Sequence, residues 1–203
     1  MEKIEIPSGI KPKEFFYEFL PKAFDASKAD MDLSGYKGIN FTMEIDVTGA
    51  SGGIYTISLT DGDKLEVTEG KKDDAIMSVE ISEKVFTDGL SGRISGFPIE
   101  AFFSNPQEII TGLPPEEAKQ RIEDLKGING MMEMEAYSGD DTIEMNLKFN
   151  GKSNPSCRII GDMDNLMSIM TGQTNPVQGF MSGKYKITGS LPFAMLLQKV
   201  MPN

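Results

Sequence analysis

The chain reads as an α+β fold in which an antiparallel β-sheet carries helices on one face and is built from two related halves. Three features of the 203-residue sequence predict this. Strand candidates alternate apolar and polar residues, the period-two signature of a strand buried on one side. Helix candidates carry apolar stripes at helical spacing, and such stripes and faces must cover one another. The tetrapeptide that opens the first strand returns 89 residues later.

Residues 11–28 form an amphipathic helix, with Phe15, Phe16, Phe19, Leu20 and Phe24 at helical spacing. Strands follow at 39–48, 53–60, 64–68 and 75–82. In the first of them Phe41, Met43, Ile45 and Val47 alternate with Thr42, Glu44, Asp46 and Thr48. Glycine- and aspartate-rich turns separate these strands, among them Asp61-Gly62-Asp63. A short helix is expected at 82–90, closed by Gly92, and Pro106 restricts 107–111 to an edge strand at best. Pro114-Pro115 starts a helix that runs to Lys126, with glutamates at its positive end. Further strands are expected near 130–137, 142–149 and 156–160, then a helix at 164–171 and a strand at 184–188. The last helix runs from Leu191 to about Met201, with Ser190 placed to cap it.

Self-similarity orders these elements into two halves. Lys37-Gly38-Ile39-Asn40 recurs as Lys126-Gly127-Ile128-Asn129, and the short helix at 82–90 recurs at 162–170. Ile110-Thr111-Gly112 follows Phe103 by the interval at which Ile187-Thr188-Gly189 follows Phe180. The three anchors stay in order while their spacing falls from 89 to 80 to 77, as duplication with loop deletions produces. The halves are 1–112 and 113–203, the helix at 114–126 closing one and opening the other, and no glycine- or serine-rich linker divides them.

Composition removes several function classes. The net charge of −11 makes nucleic acid a poor partner and disfavours tight docking on anionic headgroups. That charge is uneven: the first half carries 20 acidic and 11 basic residues, the second 11 and 9, so the second half is less repulsive toward an apolar or membrane-like partner. With no histidine, the Ser-His and Cys-His triads and the commonest zinc ligand are missing. Cys157 is alone, so no intramolecular disulfide or cysteine-rich metal site forms. No signal region, membrane-length apolar run or peroxisomal ending is present, which makes the cytoplasm the expected compartment. The pairs Asp61/Asp63 and Asp140/Asp141 sit in glycine turns, and Asp162-Met163-Asp164-Asn165 lacks the glycine and bidentate glutamate of a calcium loop. No nucleophile, base and orienter converge, so no catalytic residue, cofactor or metal is assigned.

The stretch from Asp164 to Gly172, then Gly179-Phe180-Met181-Ser182-Gly183-Lys184-Tyr185-Lys186-Ile187-Thr188-Gly189, then an apolar closing helix, resembles the sterol carrier protein type-2 family. The first half resembles that family's earlier part at 41–49, 55–62 and 74–92, but carries Asn105-Pro106-Gln107-Glu108 where the Gly-Lys pair belongs. The resemblance implies a sheet with helices on one face around an elongated apolar tunnel that takes fatty acids, acyl chains or sterols without chemistry. It leaves open whether the first half keeps a tunnel or serves as a packing partner.

The expected contacts follow from alternation in the strands and from the resemblance in the helices. In the first half they are Phe41, Met43, Ile45, Phe86 and Leu90. In the second they are Met132, Met134, Met145, Leu147, Leu166, Met170, Phe180, Phe193, Met195 and Leu197. Ten of the 14 methionines lie from Met131 onward, and methionine suits a surface that adapts to chains of varied shape. The expected partner is a hydrophobic small molecule or lipid, with at most transient membrane contact. The alternative is an interaction or homodimerisation module using the apolar closing helix.

Overall fold

The computed structural model describes residues 6–28, 32–94, 113–170, 173–197 and 200. The chain enters through α1 (Pro12–Glu14), a π-helical turn (Phe15–Phe19) and α2 (Leu20–Lys28), which are contiguous. Pro21 lacks an N–H, and in α geometry its ring would crowd the carbonyl of Tyr17. The turn before it is wider, Leu20 N–H donating to the Phe15 carbonyl five residues back. That turn carries Phe15 and Phe16, both fully buried.

Then come β1 (Phe41–Thr48), β2 (Gly53–Thr60), β3 (Lys64–Glu69), β4 (Met77–Ser82) and α3 (Glu83–Leu90). After α4 (Pro115–Gly127) come β5 (Gly130–Ser138), β6 (Asp141–Phe149), β7 (Ser156–Asp162) and α5 (Met163–Met170). A helix α6 (Pro176–Met181), β8 (Tyr185–Gly189) and α7 (Leu191–Leu197) complete the described chain. The expected edge strand at 107–111 and the repeat anchors Phe103 and Ile110-Thr111-Gly112 lie outside the described residues. So do Thr171, Gly172 and Met201.

The eight strands among the described residues form one sheet, ordered β3-β2-β1-β4-β6-β5-β7-β8. It is mixed, which corrects the antiparallel expectation: β1 runs parallel to β4, and β5 parallel to β7. Alternation reports which side of a strand is buried, not which strand lies beside it or in which direction. In each half a hairpin (β1-β2, β5-β6) is followed by a strand that returns on the far side of the hairpin's first strand. That strand feeds a helix with no intervening loop. The registers correspond: Met43 opposite Met77 in one half, Met132 opposite Cys157 in the other. The repeated tetrapeptides supply Ile39 and Ile128, both buried. The neighbours differ, since β2 pairs outward with β3 whereas β6 pairs with β4 of the first half, and β7 pairs outward with β8.

Register places the buried apolar residues of the strands on one face, among them Met43, Ile45 and Val47 of β1 and Met132, Met134 and Ala136 of β5. Against it pack Phe15, Phe16 and Leu20 of the first helical segment, Val85 and Phe86 of α3, and Met163, Leu166 and Ile169 of α5. Phe193, Ala194 and Leu197 of α7 cover Met132, Phe149 and Cys157, while Ala118 of α4 joins Phe24 and Leu59. The opposite face holds the polar set, where Arg158 pairs with Glu135. No helix among the described residues is long and apolar enough to cross a membrane.

A charge cluster ties α3 to the second half. Asp88 takes Lys84 Nζ at 2.8 Å and Arg93 Nη1 at 3.2 Å, and Lys84 also reaches Asp141 of β6 at 3.1 Å. The Lys84 hydrogen bond, opposed by burial and helped by the two positive charges, holds the Asp88 carboxyl below its usual range. A depressed folded-state pKa stabilises the fold above the unfolded value of about 3.9 and is lost as pH falls through the folded one. Asp88→Asn therefore costs about 1 kcal/mol at neutral pH and flattens this acid limb, read by circular dichroism during acid titration.

Candidate functional site

The helices do not cover the apolar face completely. Between α5, α6 and α7 a cleft of about 240 Å3 stays open over β5, β7 and β8. Its floor is Met132 and Met134 of β5, Ile159 of β7, and Tyr185 and Ile187 of β8. Leu166 and Ile169 of α5 form one wall, and Leu191, Ala194 and Met195 of α7 another. Val177, Phe180 and Met181 of α6 close the third side.

Each wall has a local cause. Asn175 caps α6, its side-chain oxygen accepting from Val177 N at 2.9 Å and Gln178 N at 3.3 Å, with Pro176 in the first turn. Gly179 lets α6 lie close on β8, because a Cβ there would sit 2.7 Å from the Tyr185 ring. Ser190 accepts from Phe193 N and starts α7.

The lining is chemically uniform. Tyr185 is its one residue with a polar side-chain atom, and burial raises its phenol above the usual value, so it stays neutral. Cys157 lies beneath α7, where burial first and Glu133 second push its thiol up to about 11. Among the described residues no group of three or more acidic or cysteine side chains could hold a metal ion. What the cleft offers a ligand is apolar burial.

The mouth is unusual for a soluble surface. Six large hydrophobic residues are exposed among those described, and five of them (Val177, Phe180, Met181, Leu191 and Met195) line the cleft. Met181 is 79% exposed and Met195 55%, a clustering that scattered surface apolar residues do not show.

Of the residues expected from sequence, Met132, Met134, Leu166, Phe180 and Met195 come together here. Met145 and Leu147 lie one strand away, opposite Met134 and Met132, within the packed core. Phe193 and Leu197 face the other side of α7 and pack around Phe149 and Cys157. The Met170 side chain is outside the described residues. Residues the sequence reading missed are Ile159, Ile169, Val177, Met181, Tyr185, Ile187, Leu191 and Ala194. Asn175-Pro176, a cap followed by a first-turn proline, was the signal for α6.

The first-half residues do not line this cleft. By register Met43, Ile45, Val79 and Phe86 stand where Met132, Met134, Ile159 and Leu166 stand in the second half. Above them the space is filled by aromatic rings. Phe86 lies 5.4 Å from Phe15 and 5.6 Å from Phe16, and Phe16 stacks on Tyr55 at 4.3 Å. Phe41 packs at the margin of this core, and Leu90 borders a separate, partly polar hollow beside residues 6–10.

Residues 113–202 match the SCP-2 sterol transfer family. The matched segment begins just before α4 and contains every residue of the cleft. Among solved structures, sterol carrier protein domain 2 of Helicoverpa armigera is 21% identical over 42% of this chain and 73% of that one, with a TM-score of 0.31. Sterol carrier protein 2-like 2 of Aedes aegypti is 12% identical over 42% and 97%, also at 0.31. Sterol carrier protein 2 of Yarrowia lipolytica, in its apo form, is 18% identical over 44% and 82%, again at 0.31. Comparison with curated proteins finds no match.

Proposed function

We propose that the SCP-2 domain binds the apolar chain of a fatty acid, acyl compound or sterol-like lipid without chemistry, and that the protein carries one such ligand. The observation that supports this most directly is the cleft whose lining, Tyr185 aside, is wholly apolar. An apolar cavity of roughly 150 Å3 takes benzene, so about 240 Å3 corresponds to on the order of nine or ten carbons. At ~0.8 kcal/mol per methylene that is roughly 7 kcal/mol gross, against association costs of about 4–15 kcal/mol. Useful affinity therefore needs the rest of a longer chain to lie along the methionine-rich mouth, beside Met181 and Met195.

On this reading the halves 1–112 and 113–203 are copies of one ancestral unit. The matching registers and strand-to-helix junctions favour that. The first copy has exchanged its ligand for Phe15 and Phe16, which is why one ligand per chain is expected. Dimerisation through the closing helix is less favoured, because Phe193, Ala194 and Leu197 are spent inside the protein's own core.

Native mass spectrometry of freshly purified protein, with titration of a fluorescent fatty acid, tests the proposal. A single bound lipid or a saturating one-to-one uptake is expected. No carried lipid together with no uptake would defeat it.

A further inference from the structure

The sulfur atoms that solvent can reach are gathered at one place. Among the described residues Met181 and Met195 are the exposed methionines, and both line the cleft. Met132 and Met134 on the cleft floor are buried, as are Met43, Met145 and Met163 in the packed core. The sulfur of Cys157 lies under α7, where burial keeps it a protonated thiol. Peroxide oxidises a thioether where solvent reaches it, and attacks cysteine as the thiolate. Among the described residues, the sulfurs that an oxidant meets first therefore stand at the mouth of the cleft.

We infer that Met181 and Met195 are sites of oxidation to methionine sulfoxide, and that this modification weakens the cleft's hold on a long-chain ligand. Hydrogen peroxide balances the step: a sulfur lone pair takes one peroxide oxygen, the O–O bond breaks, and the other oxygen leaves as water after a proton shift. Sulfur loses two electrons and the peroxide gains them. The product keeps the length of the side chain but sets a polar S=O acceptor where an apolar surface stood. The cleft lining offers that acceptor little, since Tyr185 has its one polar side-chain atom, and α6 and the described part of α7 carry no charge. An acyl chain laid over a sulfoxide would strip its water without replacing the hydrogen bond. On the lipid-binding reading of the cleft, which this presupposes, a long chain needs the mouth for useful affinity, so the loss falls where binding is decided. Ligand and oxidant also compete for the same two side chains. The empty protein is thus the form modified, and the loaded one is shielded.

The test treats the full chain with hydrogen peroxide, locates oxygen by peptide mass spectrometry, and measures affinity by equilibrium dialysis of radiolabelled hexadecanoate. Met181 and Met195 should be oxidised about tenfold faster than Met132 and Met134, and saturating hexadecanoate should slow both. Once both are sulfoxides, affinity should fall about tenfold while the melting temperature holds. A methionine sulfoxide reductase should restore it. Met181→Gln/Met195→Gln, which sets polar groups of similar length at the mouth, should bind hexadecanoate weakly without any oxidant. In Met181→Leu/Met195→Leu the affinities before and after peroxide should agree. Unchanged affinity with both sulfurs fully oxidised, or an equal loss in the leucine variant, overturns the oxidation control and leaves the cleft reading standing. No uptake by the untreated wild type removes the cleft reading and the oxidation control together.

Discussion

Phe16→Ala lowers the unfolding free energy by about 3–5 kcal/mol, the range for truncating a buried phenylalanine. Phe16 is fully buried, stacked on Tyr55, tilted on Phe86 and edge-on to Phe15, so no solvent or flexible neighbour can refill the space. Against the roughly 5–15 kcal/mol that holds a domain together, this is a large fraction. Urea unfolding followed by circular dichroism should show the midpoint fall sharply, while Lys13→Ala, exposed on the same helical segment, stays within about 0.5 kcal/mol of wild type. The void is apolar and walled by rings, so it should stay dry and accept benzene, which recovers part of the loss. Such recovery would mark the first half as a ligand site occupied by its own chain. A loss below about 1 kcal/mol would mean that the aromatic cluster is not the plug described.

Much of the sheet was legible because its strands obey one simple constraint. A strand covered on one side alternates, so Met43, Ile45 and Val47, and later Met132, Met134 and Ala136, announce both the strand and its inward face. The helices α3 and α5 were legible through their common spacing from the same repeat. Alternation is silent on order and direction, which is why the parallel pairs β1-β4 and β5-β7 were missed. Helix α6 was missed because Gly179, Ser182 and Gly183 look like a loop; the close packing of Gly179 on Tyr185 explains one of those glycines. In the cleft the limits are similar. Alternation assigns Met43 and Met132 to the same face but cannot tell which has empty space above it. The rings that cover the first-half strands come from Phe15 and Phe16, on another element. In α7 nearly every position is apolar, so no stripe separates Met195, at the mouth, from Phe193 and Leu197, beneath it.

The equivalent pair Leu166 and Phe86 gives the sharpest separation of the two halves. Both follow a strand-to-helix junction by the same interval, and both point onto the apolar sheet face. Leu166→Phe places in the second half the residue that the first half already has. Overpacking a tight core costs about 1–3 kcal/mol, but Leu166 borders an open cleft and the larger ring can grow into it. Its melting temperature should stay close to wild type. The ring displaces about three or four methylene positions of ligand, worth roughly 3 kcal/mol, so fatty-acid affinity should fall about a hundredfold. The reverse exchange, Phe86→Leu, should have the opposite profile: a stability loss of about 1–2 kcal/mol from the hole left under Phe15 and Phe16, with uptake unchanged. Fluorescent fatty-acid titration paired with thermal melts reads both variants. Undiminished uptake by Leu166→Phe would place the ligand elsewhere. A stable Phe86→Leu with doubled uptake would show a second site one substitution from opening.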